Sequence, residues 1–164
     1  MLRSILKFLI NLPTSTFLYG SVLLGLIGDL LLAYYIFNKF SNFELFKKMM
    51  SFILSRNNIS IDVLDQTFLL EQFKLMVNTL TMLLVLFIMA HVIIYIVYIF
   101  GKAIARNYFK LYAYLSVAGF GLLSIESAVT GHLAFAPLFL VQTAIYLLIA
   151  LGITARFSPA NLRT

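Results

Sequence analysis

The sequence contains no cysteine, and that absence excludes disulfides, thiolate metal sites and thiol redox chemistry together. Charge is scarce as well. Lys, Arg, Asp and Glu make up only 11% of the 164 residues, and a soluble domain carries roughly twice that share. No HExxH pattern, no phosphate-binding loop and no nucleophile paired with a base at readable spacing is present. Catalytic residues, a metal and a cofactor are therefore not expected.

What fills the sequence instead is apolar: 62% hydrophobic and 15% aromatic residues, with a mean hydropathy of +1.01. Long uninterrupted apolar runs carry that excess. Residues 17–37 form the first, and about 20 apolar residues at 1.5 Å each match a hydrocarbon core of about 30 Å. Three more follow at 77–100, 111–130 and 133–154. The expected fold class is an all-α integral membrane protein, a four-transmembrane-helix bundle with short amphipathic interfacial helices, forming a single membrane domain over residues 1–164.

Between and around the runs lie three other segments. Residues 1–13 place Leu2, Ile5, Phe8, Leu9 and Leu12 on one helical face and Arg3, Ser4, Lys7 and Asn11 opposite. That pattern predicts a basic amphipathic helix on the membrane surface, ended by Pro13. A signal peptide is the competing reading, but the run from Phe17 is too long for its apolar core and no small-residue cleavage site follows. Residues 38–76 form the substantial loop. There Phe43, Phe46, Met50, Ile53 and Leu54 share a face against Glu44, Lys47, Lys48 and Ser51, Arg56 to Asn58 make a turn, and a second helix from about Ile61 runs into the second span. Residues 155–164 are a tail. The last two spans are separated only by Gly131 and His132, with Pro137 in the first turn of the fourth, where proline is tolerated.

The net charge of +6 does not point to nucleic acid, because the basic residues lie at the ends of the apolar runs. Their placement reads as topology and contact with anionic lipid headgroups. Arg3 and Lys7, then Lys102, Arg106 and Lys110, then Arg156 and Arg163 fall on one side of four spans. Both termini are accordingly expected to be cytoplasmic in a bacterial-type inner or plasma membrane. Lys39, Lys47, Lys48, Arg56 and Lys74 in the long loop weigh the other way.

Asp29 is the residue that asks for a role, since a carboxylate within a span costs roughly 2.5 to 3.5 kcal/mol on insertion scales. Counting from Ile27 as the midpoint, Asp29 lies about 3 Å outward, His91 about 4 Å inward and Glu126 about 8 Å outward, which makes a polar ladder conceivable. His91, Tyr95 and Tyr98 fall at i, i+4 and i+7, and Gln142 and Tyr146 at i and i+4. An ion or proton pathway would use Asp29, His91, Glu126, Tyr95 and Gln142. The alternative is that these residues fix helix register through hydrogen bonds, with the tyrosines serving as an interfacial belt. Ser21, Gly25 and Gly28, and Gly119 and Gly121, are small residues expected at helix packing sites. His132 is too far outward to join His91 in a metal or haem site.

Two functional classes stay open. One is an oligomeric channel or proton- or cation-coupled transporter. It resembles the small multidrug transporters at the level of architecture, four spans with a carboxylate in the first, although those proteins are shorter and lack the long loop. Four helices enclose only a thin seam, so a wide pore needs several copies. The other is a structural or accessory subunit of a larger membrane complex. The expected partners are the lipid bilayer and either further copies of the chain or other membrane subunits.

Overall fold

The computed structural model describes residues 2–56, 60, 65–131 and 134–157. Six helices account for nearly all of them: α1 (Leu2–Asn11), α2 (Thr14–Phe40), α3 (Phe43–Ser55), α4 (Gln66–Ile99), α5 (Ala103–Val129) and α6 (Phe135–Arg156). Four of these, α2, α4, α5 and α6, are long and apolar enough to cross a membrane. Large apolar side chains along them stay uncovered, among them Leu75, Met82, Leu83, Ile93, Leu122 and Leu140. Contiguous apolar surface of that kind belongs against lipid. The protein is an all-α membrane protein.

Local chemistry sets the helix ends. Pro13 needs no N–H partner, and its carbonyl accepts the first bond of α2 from Phe17 N at 3.0 Å. Asn42 caps α3, its Oδ1 accepting from Leu45 N at 3.1 Å, and the Asp65 carboxylate accepts from Thr67 N at 3.2 Å as α4 begins. At the other end of α4, Gly101 adopts φ +75°. Its N–H bonds to Tyr98 O and that of Lys102 to Val97 O, the paired bonds of a Schellman stop. Gly131, with φ +81°, closes α5 in the same left-handed conformation. Pro137 stands in the first turn of α6.

Each apolar run of the sequence lies largely within one helix, but the helices do not stop where the runs stop. Asp65, Glu71 and Lys74 are polar enough to leave the membrane, yet α4 is continuous for 34 residues from Gln66. At 1.5 Å per residue it is about 51 Å long, well beyond a 30 Å core. The expected helix start at Ile61, and the turn at Asn57 and Asn58, lie outside the described residues, as do His132 and Leu133.

The chain divides into two compact units, one of residues 1–28 with 91–164 and one of residues 29–90. In the second unit α3 lays Phe43 and Phe46 against Phe73 of α4, with ring centroids 5.2 and 5.5 Å away. Ile53, expected on the interfacial face, is exposed, as are Met49 and Phe52. The Arg56 guanidinium rests on the Phe52 ring at 4.7 Å, so this outer face of α3 combines apolar area and positive charge, as an interfacial helix does. In the first unit α5 and α6 form an antiparallel hairpin, and α1 packs on α6.

Candidate functional site

The first unit holds a buried polar layer where α2, the end of α4, α5 and α6 meet. Ser21, Gly25 and Gly28 recur along α2 at four- and three-residue spacing, giving a stripe with almost no side chain. Gln142, Tyr146, Ile149 and Ile153 recur along α6 in the same period and are all buried. Bulk on one stripe fits the vacancy on the other. Gln142 Nε2 donates to Leu24 O at 3.2 Å, and the Tyr146 hydroxyl donates to Gly25 O at 3.0 Å.

Only glycine permits that approach. A Cβ at Gly28 would overlap Gln142 Nε2 and sit 2.7 Å from the Tyr146 hydroxyl. One at Gly25 would lie 2.9 Å from the Tyr95 hydroxyl and 3.2 Å from the Phe109 ring. Gly20, Gly119 and Gly121 differ: among the described residues, an added Cβ there meets no atom within 4 Å. Close helix contact thus falls at Gly25 and Gly28 and, among the described residues, not within 4 Å of an added Cβ at Gly119 or Gly121.

A second set of rings extends the layer. Ser21 Oγ donates to Leu18 O at 2.9 Å and lies 3.3 Å from the Tyr98 hydroxyl. Tyr95 and Tyr98 both stand edge-on to Phe109, at 5.0 and 4.9 Å. His91, 4% exposed, has Nε2 at 3.2 Å from the Tyr108 hydroxyl and its ring 4.5 Å from Tyr112. Tyr112 in turn meets Tyr146 edge-on at 5.7 Å. His91, Tyr95 and Gln142 therefore belong to one continuous layer of aromatic and polar side chains.

Glu126 does not. It lies 14 residues beyond Tyr112 on α5, about 21 Å along the helix axis, and is half-buried. The shorter separation expected from depth counting reflected span midpoints, whereas helix contacts fix the actual level of His91 on α5. Asp29 is fully buried and begins the second unit. Next to Glu126, Ser127 Oγ is buried without a hydrogen-bond partner. Among the described residues no three His, Asp or Glu side chains are grouped to hold a metal.

Sequence reasoning did not find the role of Arg156. Its guanidinium donates to Leu9 O, Ile10 O and Leu12 O at 2.6, 3.2 and 2.8 Å and to Thr14 Oγ1 at 3.0 Å, and it rests on the Phe17 ring at 5.0 Å. One cation thus satisfies the orphan carbonyls at the end of α1 and joins α1, α2 and α6. Gly152 makes room for this corner, since a Cβ there would lie 2.5 Å from Phe17. Arg106 stacks on Phe157 at 4.5 Å nearby in the chain's fold, bringing the start of α5 to the end of α6.

Comparison with known proteins found no matching family model, no matching curated protein and no matching solved structure.

Proposed function

We propose that this small multi-pass membrane protein is a structural or accessory subunit of a membrane assembly, its buried polar residues serving to lock helix register. The observation that carries the reading is the pairing of Gln142 and Tyr146 with the Leu24 and Gly25 carbonyls. Those carbonyls lie in the body of α2, so the α6 side chains are committed to backbone that does not exchange partners easily. Ser21 and Tyr98 are committed similarly. Polar groups held in this way specify one packing and leave little to relay an ion.

Transport remains a second reading because Asp29 and His91 are both buried within membrane-length helices, and intramembrane ionisable groups are functional by default. In that reading Asp29 and His91 are each groups that take up a proton or cation. Reconstitution into liposomes separates the two. The accessory reading expects no proton or cation flux above protein-free vesicles and loss of a co-purifying membrane partner on Asp29→Asn. Transport expects flux that Asp29→Asn abolishes while the fold persists.

The gathering of Lys7, Lys102, Arg106 and Arg156 at one end of the first unit supports placing that end, and both termini, at the cytoplasmic face.

A further inference from the structure

Between α1, α2 and α6 runs a groove of about 160 Å³, open on one side and almost wholly apolar. Leu12, Phe17, Gly20, Leu24, Leu148 and Ile149 line it. From Thr16 to Leu24 it follows α2 for about 12 Å, parallel to the helix axes, as an acyl chain in a bilayer lies. Gly20 contributes backbone alone to its floor, and a Cβ there would meet nothing within 4 Å.

The mouth of this groove is positively charged. Phe17, which lines it, carries the Arg156 guanidinium on its ring, and α1, which supplies Leu9 and Leu12, carries Lys7. The described residues of this unit include the cations Lys7, Lys102, Arg106, Lys110 and Arg156 and one acid, Glu126. Glu126 stands 20 residues from Arg106 along α5, about 30 Å away and so at the opposite face of a bilayer. Arg156 joins this basic end of the unit to the groove through Phe17, and Arg106 stacks on Phe157 at the end of the same α6 helix. We propose that the groove holds one acyl chain of an anionic phospholipid, whose phosphate lies at this basic end.

The test uses the delipidated full-length protein and native mass spectrometry, with phosphatidylglycerol or phosphatidylcholine added separately. One phosphatidylglycerol should be retained per chain, with phosphatidylcholine retained at least tenfold less. Gly20→Leu fills the floor from open space and replaces a poor helix former by a good one, so the fold should persist while phosphatidylglycerol retention falls at least tenfold. Leu148→Trp fills the groove from α6 and should act alike, whereas Gly119→Leu should change nothing. Equal retention of the two lipids would overturn the proposal, as would retention unaffected by both filling variants. So would a lipid-free dimer that the filling variants dissociate, which would make a second copy the occupant.

Discussion

The Tyr146 hydroxyl of α6 donates to the carbonyl of Gly25 in α2 at 3.0 Å, across a gap that exists because Gly25 and Gly28 lack side chains. Interhelical bonds in membranes contribute about 0.6 kcal/mol on average and up to about 2. Tyr146→Phe keeps the ring that stacks on Phe120 and removes the bond to Gly25. A loss of roughly 0.5 to 2 kcal/mol is expected in denaturant unfolding in mixed micelles, with the helix content unchanged.

Gly28→Ala should cost more than the bond itself. The new methyl overlaps Gln142 and Tyr146, so the helices must separate, and overpacking of this kind costs about 1 to 3 kcal/mol. Gly20→Ala is the matched control, where open space and better helix propensity predict no loss and a gain of up to about 1 kcal/mol. Thermal unfolding of the two variants in one detergent should order them Gly28→Ala, wild type, Gly20→Ala. Equal melting temperatures would contradict the close contact.

How much of this could be read from the sequence depends on what each feature requires. Four spans are visible because apolar length alone specifies a membrane helix. Spacing also puts Ser21, Gly25 and Gly28 on one face and Gln142 and Tyr146 on another, but one chain's periodicity does not state which faces meet. Gly119 and Gly121 read as packing glycines much as Gly25 and Gly28 do, yet among the described residues an added Cβ at either meets no atom within 4 Å. The helix expected to run from the loop into the second span is one continuous helix from Gln66, because polarity marks the membrane boundary and not the end of hydrogen bonding. Arg156 read as a topology marker, since nothing local reveals that the C-terminal carbonyls of α1 lie within its reach.

Arg156→Lys should release α1 even though the charge is kept. An ammonium cannot span four acceptors or stack on Phe17 as a planar guanidinium does. Amide exchange in residues 2–12 should accelerate at least tenfold, while protection in α5 and α6 is retained. Hydrogen–deuterium exchange resolved by peptide reads this directly, and unchanged protection of α1 would remove Arg156 from the role assigned to it.

Tyr108→Phe removes the hydroxyl that faces His91 Nε2 at 3.2 Å but leaves the stacked Tyr112 in place. If this contact serves packing, stability should fall by about 0.5 to 1.5 kcal/mol, with no other property altered. The imidazole resonances of His91 in detergent-solubilised protein should shift, since one ring nitrogen loses its partner.

The role proposed for the buried polar residues is to hold the helices in place and not to conduct. It is tested most directly by proton flux into liposomes containing the purified wild-type protein under an imposed potential. The expected rate equals that of protein-free vesicles. A flux that scales with protein content and disappears in Asp29→Asn or His91→Ala, with both variants folded, would contradict it.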